Sequence, residues 1–145
     1  MTKQFGIIGN PINHSLSPLL HNYWFKKYKI DAKYSIINVE ENKLESLINK
    51  IKDKTFIGIN ITLPFKQKIV PFLDEIINDA KITSSVNTVY LNDKGKSIGE
   101  NTDVFGLQAA YLKEVDDISN KKTLVIGAGG VSPSVILSLQ KSGIR

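Results

Sequence analysis

The stretch Phe5-Gly-Ile-Ile-Gly-Asn-Pro-Ile-Asn-His-Ser-Leu-Ser-Pro18 decides the fold. An apolar run at residues 5–8 reads as a strand and is stopped at once by Gly9-Asn10-Pro11, a set that breaks any regular element. Ser17-Pro18 then offers a helix start, with Ser17 as the cap and Pro18 at the first helical position. The helix is predicted to run to about Tyr28. Strand, polar loop and helix in that order are the opening unit of an α/β domain.

The same alternation continues outward. Residues 34–39 and 56–61 read as strands, separated by a helix over about Glu41 to Lys52, where Leu44, Leu47, Ile48 and Ile51 recur at helical spacing. Pro64 opens a helical turn, and residues 74–81 are predicted helical. Residues 88–91 and 97–99, joined through Asn92-Asp93-Lys94-Gly95, read as a hairpin. Asn101-Thr102-Asp103 leads into a helix to about Lys113, and the polar stretch 114–121 marks a domain boundary. Beyond it a strand at residues 123–126, a glycine turn and a helix from about Ser132 to Lys141 begin a second unit. The fold class expected is α/β: a largely parallel sheet flanked by helices over residues 1–113, then the first βα unit of a Rossmann domain over 114–145.

Composition narrows the function. With 145 residues, 41% apolar and 23% charged, the chain can bury a hydrophobic core of ordinary proportions. It has no cysteine, which excludes disulfides and thiolate metal sites. His14 and His21 lie seven residues apart without acidic neighbours, so no metal is expected. The early apolar run is too short for a signal peptide, and no later run is long enough to span a bilayer. The expected setting is the cytoplasm, with no membrane partner. A net charge of +5 invites nucleic acid, but the lysines are scattered among acidic residues and the one arginine is Arg145. No nucleic-acid partner is expected.

Three polar clusters and one glycine turn fall where α/β domains bind ligands, at the carboxyl ends of strands. Ser15 and Ser17 place two hydroxyls beside a helix start, which suits a carboxylate or phosphate; the plainer alternative is that Ser17 caps the helix. Asn60 and Thr62 alternate along a strand end and share one face. Lys66 sits in the first turn after Pro64, where the positive helix end disfavours an ammonium, so it is a candidate proton-transfer group, with a solvated surface lysine as the plainer alternative. Asn87 and Asp103 form the third cluster, with a turn and a helix cap as their plainer roles. Gly127-Ala128-Gly129-Gly130-Val131, between a strand and a helix, reads as the start of a dinucleotide-binding turn.

Taken together, these segments resemble the shikimate dehydrogenase family over nearly the whole chain. Gly9 to Pro18 with His21-Asn22, Gly58 to Lys66, Val86-Asn87-Thr88 and Gly99-Glu-Asn-Thr-Asp103 are similar to four ordered motifs of that family. The resemblance implies that Ser15 and Ser17 bind the shikimate carboxylate while Asn60, Thr62, Asn87 and Asp103 surround the ring hydroxyls. It implies that Lys66, paired with Asp103, moves the proton as hydride passes between NADPH and 3-dehydroshikimate in aromatic amino-acid biosynthesis. Gly127 to Val131 would then serve NADP, the implied cofactor.

Two departures from the family pattern stand out. Ser84-Ser85 occupies the place of Gly-Ala, and Pro133 stands at a helix start where arginine is frequent. The resemblance further implies that most of the cofactor-binding half, including its basic residues for the NADP phosphate, lies beyond Arg145. The 145 residues alone are therefore expected to fold over about residues 1–111, with 125–145 loosely held or paired with another copy. They should bind shikimate weakly and NADPH hardly at all. The competing readings are a quinate/shikimate dehydrogenase of the same family and a binding module without turnover. The partners expected are a small-molecule substrate and, as an open alternative, a second copy in a homodimer.

Overall fold

The computed structural model describes residues 1–115 and 118–144. Asp116 and Asp117, inside the expected boundary segment, and Arg145 lie outside the described residues. The chain forms β1 (Lys3–Ile8), α1 (Ser17–Lys27), β2 (Ala32–Ile36), α2 (Leu44–Lys52), β3 (Gly58–Ile61), α3 (Phe65–Lys68), β4 (Glu75–Ile76), α4 (Asp79–Thr83), β5 (Thr88–Leu91), β6 (Ser97–Glu100), α5 (Asp103–Ala110) and α6 (Ser132–Lys141). The six strands make one sheet in the order β2-β1-β3-β5-β6-β4. The β1–β2, β1–β3 and β4–β6 pairings are parallel, and the hairpin β5–β6 with the β3–β5 contact is antiparallel.

Strand alternation sends successive side chains to opposite faces, and β1 shows it plainly. Ile8 joins the main core, with Ile59, Ile61 and Val89 of the sheet and Leu44, Leu47, Ile48 and Ile51 of α2. Its neighbour Ile7 joins a smaller cluster on the other face, with Ile12, Tyr34 and, from α1, Phe25. The apolar stripe predicted for α2 is thus the face that closes the larger core. Gly9 lets the loop after β1 press against the loop after β3: a Cβ there would stand 2.6 Å from Thr62 Cγ2 and 2.9 Å from the Leu63 carbonyl. The Asn10 amide donates to that carbonyl at 2.9 Å, so the first two polar clusters share one end of the sheet.

Several elements differ from the expectation. Ser17 is the first residue of α1, not its cap; the cap position is Leu16, without a side-chain hydrogen bond. Residues 75–76 form β4 rather than helix, because Asp74 is drawn to β6: its carboxylate accepts from the Ser97 amide at 2.8 Å and the Ser97 hydroxyl at 2.9 Å. The helix expected to about Lys113 ends at Ala110, with a 3-10 turn at Leu112–Glu114. Ser84, at the first departure from the family pattern, takes a left-handed conformation (φ 49°) at the end of α4.

Thr123–Ile126 forms no strand among the described residues, and Leu124 and Ile126 are 82% and 91% exposed. A parallel strand needs at least one neighbour to pair with and cover for its faces, and among the described residues the segment has no strand partner. The helix beyond it is nevertheless docked, against the expectation of a loose 125–145 segment. Ser134, Leu137 and Ser138 of α6 are buried, and the Ser138 hydroxyl donates to the Val104 carbonyl of α5 at 2.9 Å. Pro133 sits in the first turn of α6, where proline is tolerated. Among the described residues no helix is long and apolar enough to cross a membrane.

Candidate functional site

Lys66 is placed by the chain reversal after β3, in the short helix α3, and is 8% exposed. An ammonium so far from water needs a partner, and its Nζ lies 2.7 Å from Asp103 Oδ2, at the first turn of α5. The other carboxylate oxygen accepts the Asn87 side-chain amide at 2.8 Å. Asp103 is therefore held by two donors, one from α3 and one from the residue just before β5, which aims it at Lys66.

Asn87 is itself saturated. Its Oδ1 accepts from the Thr88 hydroxyl and the Thr102 amide, each at 3.0 Å, and its Nδ2 also reaches Thr102 Oγ1 at 3.0 Å. Asn60 on β3 carries the chain of bonds onward: its Nδ2 donates to the Asn87 carbonyl and to Thr88 Oγ1, both at 3.2 Å. Its Oδ1 accepts the Tyr34 hydroxyl at 2.7 Å. Burial pushes the Tyr34 phenol well above its ordinary range, opposed by the nearby Ser17 hydroxyl. One network thus runs from Tyr34 through Asn60 and Asn87 to Asp103 and Lys66.

Four of the seven residues singled out from the sequence for substrate, Asn60, Lys66, Asn87 and Asp103, are joined in this way. Ser15 stands beside it, its hydroxyl accepting the Ser17 amide at 3.3 Å. Thr62 is at the same sheet end, but its hydroxyl enters none of the side-chain hydrogen bonds of the described residues. Tyr34, Thr88 and Thr102 were not anticipated as members. Thr88 and Thr102 lie inside the quoted motifs, so their neighbours flagged them; nothing in the strand containing Tyr34 marks its hydroxyl. Among the described residues no cluster of three or more His, Cys, Asp or Glu side chains could hold a metal ion.

The glycine turn leaves its backbone open. Gly127 has φ +111°, accessible to few side chains, and no atom lies within 4 Å of where a Cβ of Gly127 or Gly129 would stand. The turn leads into the ten-residue α6, where the Ser132 amide donates back to the Gly129 carbonyl at 3.0 Å and Pro133 carries no amide. It is tied back to the sheet domain by Ser85, whose hydroxyl donates to the Gly130 carbonyl at 3.1 Å. Behind it, Asn101 Nδ2 reaches Ser134 Oγ at 2.8 Å and the Ser85 carbonyl at 2.9 Å, while Asn101 Oδ1 accepts the Asp103 amide at 3.0 Å. Ser85, the second departure residue, is fully buried in this junction.

Comparison with known proteins agrees with this geometry. A model of the shikimate dehydrogenase substrate binding domain matches residues 7–89. The chain is 50% identical over 145 residues to the shikimate dehydrogenase (NADP(+)) of Pelagibacter ubique, covering 100% of this chain and 54% of that protein. It is 43% identical over 143 residues to that of Carboxydothermus hydrogenoformans, covering 98% and 50%. The crystal structure of shikimate dehydrogenase from Aquifex aeolicus matches with a TM-score of 0.91 at 36% identity, over 99% of this chain and 54% of that chain. The Thermus thermophilus enzyme in complex with NADP(H) and shikimate matches with a TM-score of 0.86 at 29% identity, over 98% and 53%. The chain spans about half the length of the curated relatives it matches. With the family's substrate-binding domain matched over more than half of its residues, the chain belongs to the shikimate dehydrogenase family.

Proposed function

We propose that residues 1–113 form the substrate-binding part of an NADP-dependent shikimate dehydrogenase and that 114–145 begin its cofactor-binding part. The observation that carries this reading is the 2.7 Å pair of Lys66 and Asp103, buried at the end of β3 inside a network of hydroxyl-reading side chains. The substrate is the 3-dehydroshikimate/shikimate pair. The Ser15 and Ser17 hydroxyls donate to its carboxylate, while Asn60, Thr62, Asn87 and Asp103 face its ring oxygens. A hydroxyl beside a carboxylate or carboxamide finds an acceptor there, which sorts hydroxylated rings from bare ones.

In the reducing direction Lys66 gives one Nζ proton to the ketone oxygen while that carbon gains a hydride, so the C=O bond becomes C–H and O–H. NADPH, when bound, would supply that hydride. Lys66 regains its proton from water, and in the oxidising direction the neutral amine takes the hydroxyl proton. Asp103 keeps Lys66 oriented through the step and stabilises its charged form. The Gly127–Val131 backbone would hold the cofactor's phosphates, a role that fits the open space at Gly127 and Gly129. The reading places the protein in the cytoplasm, acting on a small molecule rather than on nucleic acid or membrane, and leaves open a homodimer.

The test is NADP-dependent oxidation of shikimate in the protein's full reading frame, with calorimetric titration of shikimate and quinate. Lys66→Ala should lower kcat by about 10²–10⁴-fold with little change in KM, because the proton moves only in the transition state. An alanine variant with near-normal kcat removes Lys66 from the chemistry. Quinate bound and turned over as well as shikimate would move the reading to a quinate/shikimate dehydrogenase.

A further inference from the structure

His21 and Asn22 belong to the first motif, yet the reading above gives them no task. Both project from α1 toward β2, an outer strand of the sheet that pairs only with β1. The Asn22 carboxamide bonds the outward edge of that strand at one residue: the Tyr34 amide donates to Asn22 Oδ1 at 2.9 Å, and Asn22 Nδ2 donates to the Tyr34 carbonyl at 2.8 Å. These two bonds are what a further strand would have supplied there. The His21 ring lies flat on the Tyr34 ring, with centroids 4.2 Å apart and planes at 6°. Backbone and ring of Tyr34 are therefore both fixed from α1, and the side chain is 4% exposed.

The consequence falls on Asn60. Both protons of its Nδ2 are used, on the Asn87 carbonyl and Thr88 Oγ1, and one lone pair of Oδ1 holds the Tyr34 hydroxyl proton. What Asn60 has left is a lone pair and no proton. We propose that Asn22 is a positioning residue: by clamping the Tyr34 backbone it sets the tyrosine hydroxyl on Asn60 and leaves Asn60 as a pure acceptor for a ligand hydroxyl. A ligand presenting a ketone or ether oxygen at that place meets only repulsion, so the clamp contributes to the choice of hydroxylated ring. This inference rests on the proposed function for the identity of the ligand, and on the geometry alone for the clamp.

The experiment uses the whole 145-residue chain and three variants: Asn22→Ala, Asn22→Asp and Tyr34→Phe. In the ligand-free arm, solvent exchange of the Asn60 side-chain amide protons is followed by NMR. All three variants should exchange faster than wild type, and Asn22→Asp should resemble Asn22→Ala, because it keeps the acceptor but sets an oxygen against the Tyr34 carbonyl. If the Asn60 protons exchange as in wild type when either residue is changed, the clamp is overturned, whether or not any ligand binds. In the ligand arm, each variant should weaken shikimate binding by about 3–10-fold, the worth of one hydrogen bond. Combined with Asn60→Ala, the Asn22→Ala effect should largely vanish, since both act through one side chain. Fully multiplicative losses would mean that Asn22 merely supports the fold, and would also overturn the proposal. A full reading frame that does not bind shikimate at all would sink the proposed function while the exchange arm still decides the clamp. Should Asn22→Ala fail to fold, Tyr34→Phe, which removes one hydroxyl, carries both arms.

Discussion

Lys66 and Asp103 stand 37 residues apart in sequence, on two different helices, and meet at 2.7 Å with side chains 10% and 27% exposed. Neither charge is well placed to return to water if the other is removed. Asp103→Asn leaves the ammonium without its counter-ion and should lower the unfolding free energy by about 1.5–3 kcal/mol. Lys66→Met, which removes the buried charge instead of stranding it, should cost less. Urea unfolding of both variants checks the ordering, and a more costly Lys66→Met would show that the pair's burial is not the controlling term.

The serine pair separates binding from folding. Because α1 begins without a side-chain cap, replacing Ser15 and Ser17 with alanine should leave the melting temperature nearly unchanged. Shikimate binding should weaken, each lost hydroxyl contact with a carboxylate being worth about 1.5–3 kcal/mol. Calorimetry decides: unchanged affinity in the double variant puts the anion elsewhere.

Ser84 holds a left-handed conformation that glycine adopts without cost, at the end of α4. Ser84→Gly should therefore raise stability by about 1 kcal/mol, offset in part by the greater freedom of glycine in the unfolded chain. A measured destabilisation would mean that the serine hydroxyl contributes more than its backbone strain removes.

Acid stability should depend on Asp74. The Lys52 ammonium at 2.8 Å, then the Ser97 amide and hydroxyl, hold its carboxyl at about 2 rather than 3.8. A carboxyl whose folded value is depressed binds protons more readily when unfolded, so its contribution is present above about pH 4 and disappears as the pH falls toward 2. Asp74→Asn should melt lower than wild type at neutral pH, and the gap should close by pH 2. A gap constant across that range would remove Asp74 from the acid response.

Much of this architecture was legible in the sequence because the signals were local. The apolar stripe of α2, the hairpin around Asn92–Gly95 and the span of α6 each follow from spacing within a dozen residues. Lys66 and Asp103 were paired by resemblance alone, since no spacing rule links two such distant helix starts. What escaped was decided at long range. Residues 75–76 look like a helix start until Ser97 captures Asp74 from 23 residues away. The Tyr34 hydroxyl gains its task from Asn60, 26 residues on, and the tyrosine itself sits in an ordinary alternating strand. The docking of α6 depended on serines at 134 and 138, whose small size lets the helix approach α5 and whose hydroxyls find partners there. A pattern that treats serine as surface polarity misses such contacts.

The exposed segment at Thr123–Ile126 has a practical side for anyone handling this polypeptide. Leu124 and Ile126 are strand-forming residues held in water on either side of the half-buried Val125, the kind of window through which chains stick to one another as concentration rises. Lys121 and Lys122 immediately before it act as gatekeepers, since stacking copies in register would bring their like charges together. Colloidal stability should therefore be best in dilute, low-salt buffer below the isoelectric point of about 9.3, and should fall as salt screens those two lysines.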